Sequence, residues 1–143
     1  MRLRITNKLF FDDTKPPITI AEISGNHNGR KSLFLKHIEA AKKTGCELVK
    51  IQTYEANDLT LNSKKKNFIL KKGIWKNMDL WSLYKKAQTP FDWHKDAFNL
   101  ANKKNINLIS TPFSIRSLNF LKKFNPPVYK ISSFEITDLK LIY

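Results

Sequence analysis

Four apolar runs of strand length punctuate the chain, and each carries polar residues within it and ends in more of them. They are residues 18–24, leading into Gly25-Asn26-His27-Asn28-Gly29, and residues 48–54, 108–113 and 128–135. Three hold a charge where a buried strand should be wholly apolar: Glu22, Lys50 and Lys130. Side-chain alternation along a strand puts Glu22 on the face of Ile18 and Ile20, Lys50 on the face of Leu48 and Gln52, and Lys130 on the face opposite Tyr129 and Ile131. Taking such groups out of water is costly unless a partner or ligand compensates. A chain that does so three times is expected to hold something charged.

Between the runs the period changes to that of a helix. Phe34, Ile38 and Ala41 recur at helical spacing, with Ser32 as the expected cap and Gly45 as the stop. Residues 55 to about 78 are polar and lysine-rich without clear periodicity, the signature of a lid or binding loop. Asp79 opens a short helix through Ala87, Thr89-Pro90 begin another, Ser114 caps a third that carries Leu118, Leu121 and Phe124, and Asp138 begins a last one. Pro16-Pro17 and Pro126-Pro127 mark entries into the first and fourth strands, and residues 1–16 form a peripheral N-terminal arm. Strict strand–helix alternation with right-handed crossovers predicts an α/β fold with a parallel sheet. Four β-α units over residues 17–143 are half of a (β/α)8 TIM barrel, whose ligands sit at the carboxyl ends of the strands, where the polar clusters fall.

Composition narrows the function. The formal net charge is +14, but among 26 basic residues only Arg2, Arg4, Arg30 and Arg116 are arginines. Bidentate base reading favours arginine, and the lysines are scattered or in short runs, so a nucleic-acid partner is disfavoured against a solvated lysine face. Trp75, Trp81, Trp93 and Tyr84 are spaced like helix-packing anchors, not a stacking platform. There is no GxGxxG or GxxxxGK[ST], which argues against Rossmann and P-loop sites. Cys46 is alone, so no disulfide or cysteine metal site is expected, in keeping with a reducing cytoplasm. No run approaches transmembrane length, and Asp12 and Asp13 break any signal-like segment, so no membrane association is expected.

Lys50 and Lys130, each near the carboxyl end of a strand, can point into one pocket. Two ammonium groups repel, so the arrangement makes sense with an anion, or Glu22, between them. Phosphate or carboxylate fits, and Thr111, Ser132 and Ser133 add hydroxyl and backbone donors at neighbouring strand ends. The plainer alternative is a Glu22–Lys50 ion pair without a ligand. Glu22 and Glu135 are the carboxylates available for proton handling, Glu135 being equally readable as a loop or capping acid. Gln52 shares the face of Lys50 and suits sugar hydroxyls, or satisfies Glu22. His27 offers a metal or substrate ligand, or a packing and hydrogen-bonding group within its turn. His94 reads as structural, and His37 has no assigned role.

These residues resemble the sialic-acid synthase family. The matching segments are Ala21-Glu22-Ile23-Ser24-Gly25-Asn26-His27-Asn28-Gly29, Val49-Lys50-Ile51-Gln52-Thr53-Tyr54, Ser110-Thr111-Pro112-Phe113 and Tyr129-Lys130-Ile131-Ser132-Ser133-Phe134-Glu135. Within that family residues 80–94 look most like the pseudaminic acid synthases. The resemblance implies an enzyme that condenses phosphoenolpyruvate with an amino sugar, a 2,4-diacetamido-2,4,6-trideoxy-hexose, to a nine-carbon acid with release of phosphate. It implies that Lys50, Thr111, Lys130 and Ser133 contact phosphoenolpyruvate, that Glu22 and Glu135 are catalytic, and that Gln52, Asn26 and His27 face the sugar. It also implies a divalent metal, Mn or Mg, whose ligands belong to a half of the barrel not found in this chain. Members are more than twice as long, with a C-terminal antifreeze-like domain that is absent here. The chain is therefore expected to be a fragment, inactive alone, that works as a homodimer in its full-length form or with a complementary C-terminal half. Alternatives are an N-acetylneuraminate or legionaminate synthase, and a noncatalytic anion-binding half-barrel assembly module.

Overall fold

A computed structural model describes all residues 1–143. The N-terminal arm is a two-stranded antiparallel hairpin of β1 (Arg2–Arg4) and β2 (Phe10–Asp12). The body then runs β3 (Ile20–Glu22), α1 (Lys31–Lys43), β4 (Leu48–Thr53), α2 (Ala56–Leu59), α3 (Leu80–Ala87), α4 (Phe91–Lys104), β5 (Leu108–Pro112), α5 (Ile115–Lys122) and α6 (Leu139–Ile142). Its three strands form one parallel sheet in the order β3-β4-β5.

The expected fourth strand does not form. Tyr129 bridges Ser110 in parallel, the Lys130 amide donates to the Ser110 carbonyl at 3.2 Å, and the pairing stops there. The Phe134 amide turns back to the Ser132 hydroxyl at 3.2 Å, and the Glu135 amide to the Ser132 carbonyl at 3.1 Å. The serine side chain thus offers the backbone a local partner that competes with a ladder, and Pro126-Pro127 withhold two donors upstream. Three paired strands and one bridged segment carry the polar clusters.

Alternation on β4 and β5 sorts the side chains as the period requires. Val49, Ile51 and Leu108 join Phe34, Ile38 and Ala41 of α1 and Trp93, Ala97, Phe98 and Ala101 of α4 in one buried core. Lys50, Gln52 and Thr111 project from the opposite face and line a cavity. Helix α1 begins at Lys31 with Arg30 as its unbonded N-cap, so Ser32 is its second residue rather than its cap. The first turn lacks a side-chain acceptor, and tertiary packing of Phe34 and Ile38 supplies the stability. Gly45 with φ +84° ends the run as expected. The caps at Asp79, Ser114 and Asp138 form, each side chain accepting an amide three residues on.

The predicted loop at 55–78 is partly ordered. It contains α2, a 3-10 turn at Lys66–Phe68 and a hairpin-like excursion in which Ile69 bridges Asp79 and the Leu70 amide donates to the Met78 carbonyl at 2.9 Å. Asp79 accepts from Lys64 at 2.5 Å while capping α3, and the lysine's hydrogen bond is the main reason its carboxyl is held at about 2. No helix is long and apolar enough to cross a membrane.

Candidate functional site

The site lies at the carboxyl ends of the three strands. In register, Glu22 of β3 stands beside Lys50 of β4, and Gln52 beside Thr111 of β5. Lys50, only 8% exposed, forms an ion pair with Glu22 and donates to the Thr111 hydroxyl at 3.3 Å. The second Glu22 oxygen accepts the Ser24 amide at 2.8 Å, and Ser24 itself sits at φ +51°, a strained region for a non-glycine residue. Backbone strain of this kind concentrates where a binding loop must be aimed.

Lys50, Gln52, Thr111, Lys130 and Ser132 line one cavity of about 200 Å³, closed by Tyr54, Leu59, Tyr84, Phe113 and Phe134. The two lysines therefore share one space. Glu22 neutralises the first, whereas the Lys130 ammonium takes part in no ion pair. Burial, with Tyr84 beside it, pushes the Tyr54 hydroxyl up to about 12, so it remains a hydrogen-bond donor across the useful pH range. A second cavity of about 520 Å³ adjoins the first, since both are lined by Gln52, Tyr54 and Tyr84. Asn26 and Asn28 from the loop after β3, Trp75 from the excursion, and Leu83, Lys86 and Ala87 of α3 complete it.

Three sequence-derived positions fall elsewhere. Ser133 is exposed and does not line the cavity, where Ser132 stands instead: Lys130, Ser132 and Phe134 face it in alternation into the turn at 132–135, and Ser133 falls between them. The same turn takes Glu135 away from both cavities and leaves its Oε2 buried without a hydrogen-bond partner. His27 is 1% exposed, with Nδ1 accepting the Gly29 amide at 3.1 Å and Nε2 facing the Ala87 carbonyl at 3.2 Å. Its ring packs edge-on against Phe34 and Trp93, and burial lowers its pKa. With both nitrogens engaged by backbone, His27 fastens the 24–29 loop to the end of α3 and has none left for a sugar. Gly25 completes that joint, because a Cβ there would meet Ala87 Cβ and its carbonyl oxygen at 2.9 Å.

The sequence reading missed Tyr84 and Trp75 as cavity residues, having taken them for packing anchors; of that set only Trp93 is buried in the core, while the Trp81 indole donates to Asn57 at 2.6 Å. A tryptophan inside a lysine-rich polar stretch was the available signal. No group of three or more His, Cys, Asp or Glu side chains is arranged to hold a metal ion. His94, the other buried histidine, is consumed by Thr53 and the Pro90 carbonyl. The residues present do not fit the metal that the family resemblance implies, so no step is assigned to one.

A parallel β/α sheet with a lysine-lined cavity at its strand ends defines the class: an α/β domain with its candidate site at the carboxyl ends of the strands. The chain belongs to the NeuB family, whose model matches residues 37–143. It is 46% identical over 128 residues to a pseudaminic acid synthase of Campylobacter jejuni, covering 90% of this chain and 37% of that protein. It is 35% identical over 126 residues to an N,N'-diacetyllegionaminic acid synthase of the same species, covering 87% of this chain and 37% of the relative. The crystal structure of an N-acetylneuraminic acid synthetase from Leptospira borgpetersenii superposes with a TM-score of 0.80 at 24% identity, over 99% of this chain and 45% of that one. The chain thus spans just over a third of the length of the curated relatives it matches.

Proposed function

We propose that this chain supplies the phosphoenolpyruvate pocket of a pseudaminic-acid-type synthase. The observation that carries the reading is the cavity shared by Lys50, Lys130, Thr111 and Ser132, of a size and charge suited to a small dianion. Lys130 and Lys50 pair with the phosphate and carboxylate, while Thr111 and Ser132 donate to remaining oxygens. Glu22 aligns Lys50 and is the carboxylate nearest the reacting carbon. The adjoining cavity takes the open-chain amino sugar, with Gln52 and Asn26 on its hydroxyls. The methylene carbon of phosphoenolpyruvate then forms a bond to the sugar aldehyde carbon, water adds at the carbon bearing phosphate, and phosphate leaves by C–O cleavage. Cations at the phosphate stabilise the charge that develops on the leaving group. The higher identity to a pseudaminic than to a legionaminic acid synthase favours the former sugar.

Calorimetric titration of the chain with phosphoenolpyruvate tests the reading. Binding weakened at least about tenfold in both K50M and K130M is expected, as truncating a charged contact costs about 2 kcal/mol or more. Absence of binding, or binding indifferent to both substitutions, overturns it. Binding without phosphate release when the trideoxy amino sugar is added, in a chain supplied with the remainder of a synthase, turns the reading into a noncatalytic anion-binding module.

A further inference from the structure

Behind the cavity, on the sheet face that carries the core, three wholly buried polar side chains bond to one another in a row. The Ser110 hydroxyl of β5 lies 2.6 Å from the Thr53 hydroxyl of β4, and Thr53 lies 2.8 Å from Nε2 of His94 on α4. His94 Nδ1 faces the Pro90 carbonyl at 3.1 Å, which only accepts. The proton therefore sits on Nδ1, Thr53 donates to Nε2, and Ser110 donates to Thr53, directions assigned from the hydrogen-bond network. Phe91 and Phe120 pack edge-on against the imidazole. A buried polar row of this kind stabilises little that apolar groups of the same shape would not, so its use in the core calls for another role. Thr53 separates Gln52 from Tyr54, and Ser110 precedes Thr111, so both hydroxyl residues are backbone neighbours of residues that line the cavity. Ser110 also carries the one β-bridge of the 128–135 segment: it pairs with Tyr129, and its carbonyl accepts the Lys130 amide at 3.2 Å. Lys130 thus reaches the cavity from a segment fastened to the sheet at the residue where the buried row ends.

We infer that Ser110, Thr53 and His94 are positioning residues for the phosphoenolpyruvate pocket: the row fixes the Ser110 backbone and, through it, the ammonium of Lys130. The inference rests on the reading of the cavity as that pocket. None of the three lines either cavity, so their effect on a ligand passes through the residues they hold. With the Thr53 hydroxyl removed, Ser110 keeps only the Ile51 carbonyl at 3.2 Å within its own sheet, and the tie from β5 to α4 is lost. Groups that orient a ligand-binding side chain from behind commonly change affinity by about tenfold when removed.

The test titrates the whole chain calorimetrically with phosphoenolpyruvate as wild type, T53V, T53S, K130M and the double variant T53V/K130M, and follows hydrogen exchange of the Lys130 amide by NMR without ligand. T53V should bind about tenfold more weakly and exchange the Lys130 amide about tenfold faster, while T53S, which keeps the hydroxyl, should stay within about twofold of wild type on both counts. In the K130M background T53V should change affinity by less than about twofold, because the residue through which it acts is gone. A merely structural role would carry the same factor into both backgrounds. In the wild type, saturating phosphoenolpyruvate should shift the His94 Nε2 resonance, since coupling runs both ways. The inference is overturned if T53V keeps full affinity, if its Lys130 amide exchanges as in wild type, if it weakens binding equally with and without Lys130, or if T53S loses as much as T53V. Should T53V fail to fold, a His94 resonance unmoved by phosphoenolpyruvate overturns it on the wild type alone. Failure of phosphoenolpyruvate to bind the wild-type chain removes the underlying reading, and Lys130 exchange then still decides whether the row positions that residue.

Discussion

Protonating His94 should destabilise this protein, and the size of the effect follows from its surroundings. The ring is fully buried, with Nδ1 facing the Pro90 carbonyl at 3.1 Å and Nε2 facing the Thr53 hydroxyl at 2.8 Å. A carbonyl only accepts, so Nδ1 carries the proton and Nε2 accepts from Thr53, a tautomer assigned from the hydrogen-bond network. Thr53 lies 2.6 Å from the Ser110 hydroxyl, so the chain of bonds ties α4 to β4 and β5. Burial is the main force that lowers the His94 pKa from 6.5 to about 4, outweighing the carbonyls of Pro90 and Phe91 and the charge of Asp92. The unfolded chain takes up a proton near 6.5 while the folded one does not. Stability from this group is therefore complete above pH 6.5, falls as pH drops towards about 4, and levels below it. At about 1.4 kcal/mol per pH unit of difference, the loss amounts to about 3 kcal/mol. Urea unfolding followed by tryptophan emission at pH 7.5, 6.0, 5.0 and 4.5 measures it. His27 contributes in the same direction, so the His94 share is the difference between wild type and H94Q. NMR of the His94 ring gives the same answer without a variant. A folded-state titration midpoint above pH 6, or equal pH slopes in wild type and H94Q, refutes the reasoning.

T53V keeps the volume and removes the central hydroxyl, leaving His94 Nε2 and Ser110 without that partner; a loss of about 1–3 kcal/mol in urea midpoint analysis is expected. G25A should cost about 1–3 kcal/mol by forcing a methyl into Ala87, and should release the His27–Ala87 bond, visible as a changed His27 ring shift. E22Q frees Lys50 from a competing carboxylate, so phosphoenolpyruvate should bind more tightly in a calorimetric titration even though turnover in a completed enzyme is lost. S114A removes the acceptor for the Ser117 amide and should lower stability by about 1 kcal/mol, read as a shift in thermal midpoint.

Period and capping chemistry made most of the fold legible. The apolar runs at 18–24, 48–54 and 108–113 became strands, and Asp79, Ser114 and Asp138 became caps, because these signals are local and nothing tertiary opposes them. The fourth strand is missing because a strand is a cooperative object that needs a paired neighbour, and 128–135 has a single bridged residue on β5. Lys130, Ser132 and Phe134 still alternate into the cavity, so Ser133, which the family resemblance and not the strand period placed at the site, falls outside it together with Glu135. His27 was ambiguous for a different reason: a histidine in a turn looks alike whether its nitrogens are free or bonded to backbone 60 residues away. Trp75 was misread because an apolar residue in a polar stretch was credited to packing when its surface was left at a cavity.

The same sheet shows why charged residues are tolerated in strands that otherwise build a core. Lys50 sits between Val49 and Ile51, and those neighbours face the helices while it faces the cavity, so its ammonium leaves the low-dielectric side altogether. Its partner Glu22 keeps a side chain 36% accessible, which reduces the desolvation penalty that a fully enclosed pair would carry. Glu22 and Lys50 cancel, and Lys130 adds one uncompensated positive charge to a space that also offers two hydroxyls. An incoming dianion therefore finds an excess cation without first having to break the Glu22–Lys50 pair, and draws Lys50 from Glu22 only as it settles. That sequence makes Lys130 the capturing group and Lys50 the orienting one. K130M should consequently slow association and flatten its salt dependence, whereas K50M should act mainly on dissociation.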